Sequence, residues 1–456
     1  KKFYFTRVVK AHSVFLVTMD DQMNQIMEHS SVADFYAGKS VFVTGGTGFL
    51  GKVIIEKLLY SCPQIDKLYV LIRGKRNANV QERFKKFMDT PLFDRIKCES
   101  PQQLEKIKPV TGDILLPNLG ISLEDEELLL DKVSVVIHSA ATIKFNEPLK
   151  VALGINYEGT KKVLELCRRM RNIKIFVHVS TAYANTASDV IEEKIYPIPT
   201  DVEKLYETLN SSNPNEKELI GGYPNTYTFT KALSECLIQR NHGDIPTVIV
   251  RPSILAPSKS EPIVGWVDSW FGATQLLIST GKGYCRGLMS RKHNILDLIP
   301  IDYVSNFIII AAAKCRKPII YIKKKISPYL FFISDVVPFP KILMTSHRLM
   351  LFAIIFFAEI VPAYIADFFL KQLGNPPKFI KTQTKISEVR NSLEYFSNNS
   401  WVIKNDKACA LAASLSPRDV AQFPCDPSDI CWPEYMTVYF AGVKKFLLDG
   451  KLKGKL

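Results

Sequence analysis

A doubly wound α/β sheet, with parallel strands between two layers of helices, is the fold expected from this sequence for most of its length. Three observations carry the expectation. Short β-branched runs alternate with helical stretches from Lys39 onward. The first of these runs closes on a glycine-rich turn. The strands read as continuous apolar runs, as strands buried on both faces do. Such alternation builds a parallel sheet covered by helices on both sides.

The elements come in order along the chain. Lys39–Gly45 is the first strand, and Gly51–Ser61 comes next with Val53, Ile54, Leu58 and Leu59 at helical spacing. Further strand-like runs are Lys67–Arg73, Ile107–Thr111, Val133–His138, Ile173–Ser180 and Pro246–Val250. Asn156–Met170 and Thr226–Arg240 read as helices between them. The sheet domain is thus expected over 32–317, after an N-terminal extension (1–31) in which Met19 or Met23 is the expected natural start. Residues 318–344, with a Lys323–Lys325 run and Pro328, Pro338 and Pro340, read as a shortened connection. A smaller, mainly helical domain is expected over 345–448, with Ile386–Phe396 and Trp432–Leu448 as helices, before a basic tail at 449–456.

Within that second domain, 349–370 is the most apolar window. Leu349–Ala358 carries no charge, but Glu359, Pro362 and Asp367 interrupt the rest of the window. A spanning helix wants about 20 apolar residues, and a central carboxylate costs about 2.5–3.5 kcal/mol. A spanning segment, an interfacial helix and a buried core helix all stay open, with membrane association the favoured expectation.

Composition narrows the function. At 456 residues and 51.6 kDa the chain is long enough for two or three domains. Its net charge of +14 suits nucleic acid, an anionic membrane face or a polyphosphate ligand. There is no zinc-finger spacing, RNP-like strand or basic recognition helix, so nucleic acid is not an expected partner. Nine cysteines without a C-x-x-C pair suggest neither a disulfide framework nor a metal site, only thiols in a reducing compartment.

Thr44, Gly45, Gly46, Thr47, Gly48, Phe49, Leu50 and Gly51 lie between the first strand and its helix, the context a dinucleotide loop requires. Gly45 permits the tight turn, Gly48 lets backbone approach a pyrophosphate, and Gly51 allows close helix–strand packing. The helix N-terminus then offers free N–H groups to the phosphates. The second strand ends Leu71-Ile-Arg-Gly-Lys-Arg76, with three cations where an NAD enzyme carries a carboxylate. Arg73, supported by Lys75 or Arg76, suits the 2′-phosphate of NADPH. Asp113 can accept from the adenine amino group, and Ala140 and Ala141 leave room for the cofactor. His138 reads as a packed strand-end residue.

Tyr227 and Lys231 stand at i and i+4 on one helix face. A cation beside a phenol is expected to lower the tyrosine pKa. The pair can then protonate a carbonyl oxygen while hydride arrives from nicotinamide. A hydroxyl at the fifth strand's end, Thr181 in preference to Ser180, would hold that carbonyl. Pro252, Ser253 and Ile254 close the sixth strand, where backbone can flank the nicotinamide. The predicted fold is therefore a Rossmann-type sheet of the extended short-chain dehydrogenase/reductase kind. These residues leave the substrate open: a hydroxysteroid or nucleotide sugar would serve.

The chain resembles the animal fatty acyl-CoA reductases from about Val32 to Leu448. Particular stretches are Val110–Ser122, His138–Pro148, His178–Tyr183, Ile263–Asp268 and Leu298–Val304. The Val361-Pro-Ala-Tyr and Leu393–Trp401 segments are similar to that family's C-terminal male-sterility domain. The resemblance implies an NADPH-dependent, alcohol-forming reductase acting on a long-chain fatty acyl-CoA, bound to the endoplasmic reticulum or peroxisomal membrane. It also implies the glycine loop at Gly45, Gly48 and Gly51 and the catalytic pair Tyr227 and Lys231. After Ala313 this chain departs from the pattern, since 318–340 is shorter than the strand and stretch that complete the family's substrate side, which keeps an inactive acyl-CoA- or membrane-binding role open as the alternative.

Overall fold

The computed structural model describes residues 31–449, apart from 75–77, 212–213, 271, 292–293, 295 and 325–341. Lys75, the extension before Ser31, the proline-bearing part of the connection and most of the basic tail lie outside the described residues.

Seven parallel strands form the sheet: β1 (Ser40–Thr44), β2 (Leu68–Ile72), β3 (Ile107–Thr111), β4 (Val133–His138), β5 (Ile175–Val179), β6 (Thr247–Pro252) and β7 (Ile319–Lys323). Their spatial order is β7-β6-β5-β4-β1-β2-β3. The order reverses between β1 and β4, and the crevice at that point is where doubly wound sheets bind ligands. Strand alternation feeds two cores. Val41, Val43, Val135, Ile137, Val177 and Val250 point to one face, and Phe42, Val136, Phe176 and Ile249 to the other.

The helices that position the site are α1 (Phe49–Ser61), α2 (Val80–Met88), α3 (Gly159–Arg169), α4 (Thr226–Asn241), α5 (Ala273–Gly281) and α6 (Ile301–Lys314). Every residue of α6 from Ile301 to Ala313 is buried, including Asp302, Ser305 and Asn306, which are hydrogen-bonded. It lies between α1 and the C-terminal region.

One expectation needs correction. The connection expected over 318–344 holds the last strand of the sheet: β7 pairs with β6 from Ile319↔Val248 to Lys323↔Pro252. The lysine run disguised it, because Lys323 is buried with its ammonium 4.6 Å from the Phe307 ring centroid. The mainly helical C-terminal region is present and shares the core of the sheet domain. Trp432, Tyr435, Met436 and Tyr439 belong to the same apolar cluster as Val41 and Phe307. Hydrogen bonds join the same surfaces: Asp419 accepts from the Val32 N–H at 2.9 Å, and Tyr435 donates to the Pro257 carbonyl at 2.6 Å. Glu193 is held likewise by the Ile322, Lys407 and Ala408 N–H groups.

The C-terminal region contains the helices α7 (Arg348–Gln372), α8 (Phe379–Asn398) and α9 (Trp432–Gly442).

Candidate active site

The glycine loop is shaped by close approach. Gly45 has φ +72°, and a Cβ there would lie 2.6 Å from the Ala140 nitrogen beyond β4. A Cβ on Gly51 would lie 2.3 Å from the Gly45 carbonyl oxygen, so α1 can start against the loop only with glycine there. Gly46 is packed on the Val70 and Ile55 side chains. Gly48 is the N-cap of α1 and supplies no side-chain cap, leaving the first N–H groups free for an anion. Thr44 turns inward instead: its hydroxyl meets His138 Nδ1 at 2.7 Å and accepts from the Ala140 N–H at 3.4 Å. Thr44 and Ala140 therefore hold the loop to β4. Burial lowers His138 to about 3, so it is a neutral strut shared between Thr44 and Thr160.

Beside the loop stand two guanidiniums. Arg73 comes just after β2, half-exposed and 3.9 Å from the Asp113 carboxylate. That carboxylate also accepts from the Leu115 N–H at 3.1 Å. Arg83, on α2, donates to the Arg73 carbonyl and reaches the Thr47 hydroxyl at 3.5 Å. Burial first, and then the nearby Arg73 charge, push Arg83 below its ordinary range. A reading confined to the end of β2 misses Arg83, which lies ten residues after Arg73 in the first turn of α2; a cation on the face of the next helix was the available signal.

The residues expected to be catalytic stand just after β5 and on α4. Asn225 caps α4 by accepting from the Thr228 N–H at 2.9 Å, which sets Tyr227 in the first turn. The Tyr227 ring packs 5.9 Å from that of Phe145, and its hydroxyl is hydrogen-bonded by Thr181. Lys231 is buried one turn on and donates to the Val179 carbonyl at 2.7 Å. Its helix is anchored by Glu235, which holds both Arg251 nitrogens at 2.8 and 2.6 Å. The expected lowering of the tyrosine does not occur. Burial pushes Tyr227 up to about 12, against the Thr181 bond, while burial pulls Lys231 down to about 8. The ammonium is committed to a carbonyl, so desolvation dominates both groups.

One cavity of about 350 Å³ joins the glycine loop to Thr181, Tyr227 and Lys231, while Thr44, Arg73, Arg83, Asp113 and Ala140 lie outside its lining. Gly45, Gly48, Phe49, Leu50, Gly51, Ala141, Thr181, Tyr227, Lys231, Pro252, Ser253 and Ile254 line it. Ser180 and Ser253 line it too, and their buried hydroxyls have no partner among the described residues. The cavity continues among Leu276, Leu277, Leu288, Leu296, Ile342 and Met344, and α8 adds Leu393, Phe396 and Ser397. None of these apolar residues was legible as a site, because leucine and isoleucine carry no motif.

Fold and site together place the chain among the nicotinamide-dependent oxidoreductases of the extended short-chain type. Residues 43–308 match an NAD-binding family model and 358–450 a Sterile model, both described as male sterility protein. The chain is 36% identical to fatty acyl-CoA reductase 1 of Xenopus laevis and of Homo sapiens, over 93% of this chain and 87% of each relative. It is 34% identical to fatty acyl-CoA reductase 2 of Mus musculus, over 93% and 88%. Among solved structures, the terminal R domain of the myxalamid PKS-NRPS pathway shares the fold at TM-score 0.61, 19% identity and coverage of 90% and 91%. The reductase domain of a Mycobacterium tuberculosis nonribosomal peptide synthetase shares it at 0.60, 18% identity and coverage of 89% and 91%. The chain belongs to the fatty acyl-CoA reductase family.

Proposed function

We propose that this protein reduces a long-chain acyl-CoA to a primary alcohol and free CoA, consuming two NADPH per chain. The observation that carries the reading is the single cavity, polar at Thr181, Tyr227 and Lys231 and apolar beyond them. The free N–H groups of α1 would hold the pyrophosphate, Arg73 and Arg83 the 2′-phosphate, and Asp113 the adenine. Lys75 is a further candidate for the 2′-phosphate. Bound between Gly45, Ala141 and Pro252–Ile254, the cofactor would supply hydride to the carbonyl carbon.

Thr181 holds the thioester oxygen and Tyr227 donates its proton to it, giving a thiohemiacetal. Tyr227 takes that proton back as the C–S bond breaks and the CoA thiolate leaves to be protonated by water. The aldehyde stays in the cavity while a second NADPH would replace the spent cofactor, and it is reduced in the same way, with Tyr227 again donating to oxygen and then regaining a proton from water. Lys231, cationic below about pH 8, stabilises negative charge on the phenol as the proton leaves. We also assign the protein to a membrane, that of the endoplasmic reticulum or peroxisome, with the cavity opening to the cytosol. The test is product analysis from membranes given NADPH and acyl-CoA thioesters. Fatty alcohol is expected from the long chains, and protein that binds NADPH but yields neither alcohol nor aldehyde overturns the reading.

A further inference from the structure

Helix α7 settles onto the protein along one stripe only. Leu351, Glu359, Ala363 and Asp367 are buried, at spacings of multiples of four, while the opposite side stands in the open. That side carries Leu349, Phe352, Phe357, Ile365, Phe368 and Phe369, all more than half exposed. From Leu349 to Leu370 it bears no charge, since both carboxylates in the window turn inward. Glu359 pairs with Arg390 of α8 at 2.5 Å and accepts from the Arg286 and Gly287 N–H groups at 2.8 and 3.0 Å. Asp367 accepts from the Lys378, Phe379 and Ile380 N–H groups. Exposed lysines, Lys371, Lys378 and Lys381, gather where the apolar side ends.

The buried stripe rests on a wall of the cavity. The short parallel strands Gly287–Met289 and Leu343–Thr345 pair with each other, and Leu288 and Met344 line the cavity. On Gly287 a Cβ would meet Leu351 and Ile354 of α7, each at 3.0 Å. One two-stranded ladder thus separates the apolar end of the cavity from the apolar helix.

The geometry points to a monotopic seat: the outward side of α7 lies in one leaflet of an anionic bilayer, and the alkyl end of the cavity sits against that leaflet. The inference rests on the reductase reading for the contents of the cavity, but not for the seat itself. A helix of 25 residues is about 37 Å long, enough to span. Spanning, however, would strip Glu359 from Arg390 and pull α7 off the cavity wall. The uncharged side with cations at its edge is what an interfacial helix presents to anionic lipid. The product alcohol then passes into lipid instead of water, which suits a chain that barely dissolves.

The full-length protein is tested by flotation with phosphatidylcholine vesicles, with and without phosphatidylserine. The exposed Cys98, Cys409 and Cys431 are changed to serine, and Leu349→Cys or Leu373→Cys is labelled from outside the sealed vesicles with an impermeant maleimide. Flotation favoured by phosphatidylserine, with both ends of α7 reachable from the side of addition, is the expected result. Changing Phe352→Ser, Phe357→Ser and Phe368→Ser together should cut flotation at least about tenfold, because each phenyl ring carries that much on its own. The same variant should keep reduction of water-soluble octanal while losing turnover of palmitoyl-CoA in the presence of vesicles. No flotation, labels reachable only from opposite sides, or self-association that covers the side without lipid would each overturn the seat. Absence of octanal reduction in the parent protein, with flotation intact, would instead count against the reductase reading. Palmitoyl-CoA turnover that ignores the serine changes would remove the link between seat and cavity.

Discussion

The two ends of the cavity are built by different means. At the cofactor end a few residues close in sequence set the geometry: a glycine loop, a helix N-terminus and a Tyr-Lys pair one helical turn apart. Each is fixed by backbone geometry or by a buried polar bond, as when Lys231 donates to Val179 or Thr44 meets His138. At the alkyl end the lining comes from α5, two short strands, Leu296 and α8, nearly all of it apolar. Chemistry at a defined atom demands fixed residue types at fixed spacing, whereas holding a methylene chain demands only volume and the absence of water. Substitution should therefore cost far more at the first end than at the second.

The largest effect is expected from Tyr227→Phe, which should lower kcat by about 10²–10⁴ with NADPH affinity unchanged, as is usual for a lost general acid. NADPH oxidation and cofactor fluorescence measure the two halves of that statement, and near-normal turnover would remove Tyr227 from its role. Next comes the frame that holds both ends in register. Arg390→Met leaves the buried Glu359 unpaired and should cost about 3–5 kcal/mol of stability, read from the denaturation midpoint. Arg73→Ala and Arg83→Ala should each weaken NADPH by about tenfold to a hundredfold, at about 1.5–3 kcal/mol per charged bond, and leave NADH nearly untouched. Equal losses with both cofactors would mean that these cations do not read the 2′-phosphate.

Burial sets a fourth expectation. Lys231, brought down to about 8, loses its ammonium as pH rises through that value, while Tyr227, pushed up to about 12, keeps its proton. The reduction rate should hold level below pH 8 and fall above it, and a profile flat to about pH 10 would detach Lys231 from the reaction. The smallest effect belongs to the alkyl end. Leu288→Phe should shift the preferred chain by a few carbons without touching reduction of a short aldehyde.

The same contrast explains what the sequence made legible. The strands β3 and β4 were read to the residue, β4 as a nearly continuous apolar run and β3 as an edge strand in which only Ile107 and Val110 are buried, and glycine marks the first crossover. The proposed Tyr227–Lys231 pair came from spacing, since i and i+4 share a helix face whatever surrounds them. Strand β7 escaped because three lysines close its apolar run, and burial of Lys323 against Phe307 is a tertiary fact. Arg83 escaped because its nearness to Arg73 comes from the packing of α2 on the sheet. The tyrosine shift had the wrong sign because spacing shows a neighbouring cation and hides the Val179 carbonyl that engages it. The inward turn of Glu359 could not be foreseen either: its partner Arg390 lies 31 residues away.

On the proposed reading, one cavity carries out both reductions of a long acyl chain. The decisive experiment supplies the purified, membrane-reconstituted protein with palmitoyl-CoA and NADPH, and quantifies alcohol, aldehyde and NADPH together. Two NADPH consumed per alcohol formed, with aldehyde never accumulating, is the predicted result. One NADPH per chain with aldehyde released, or no product from protein that binds NADPH, would contradict it.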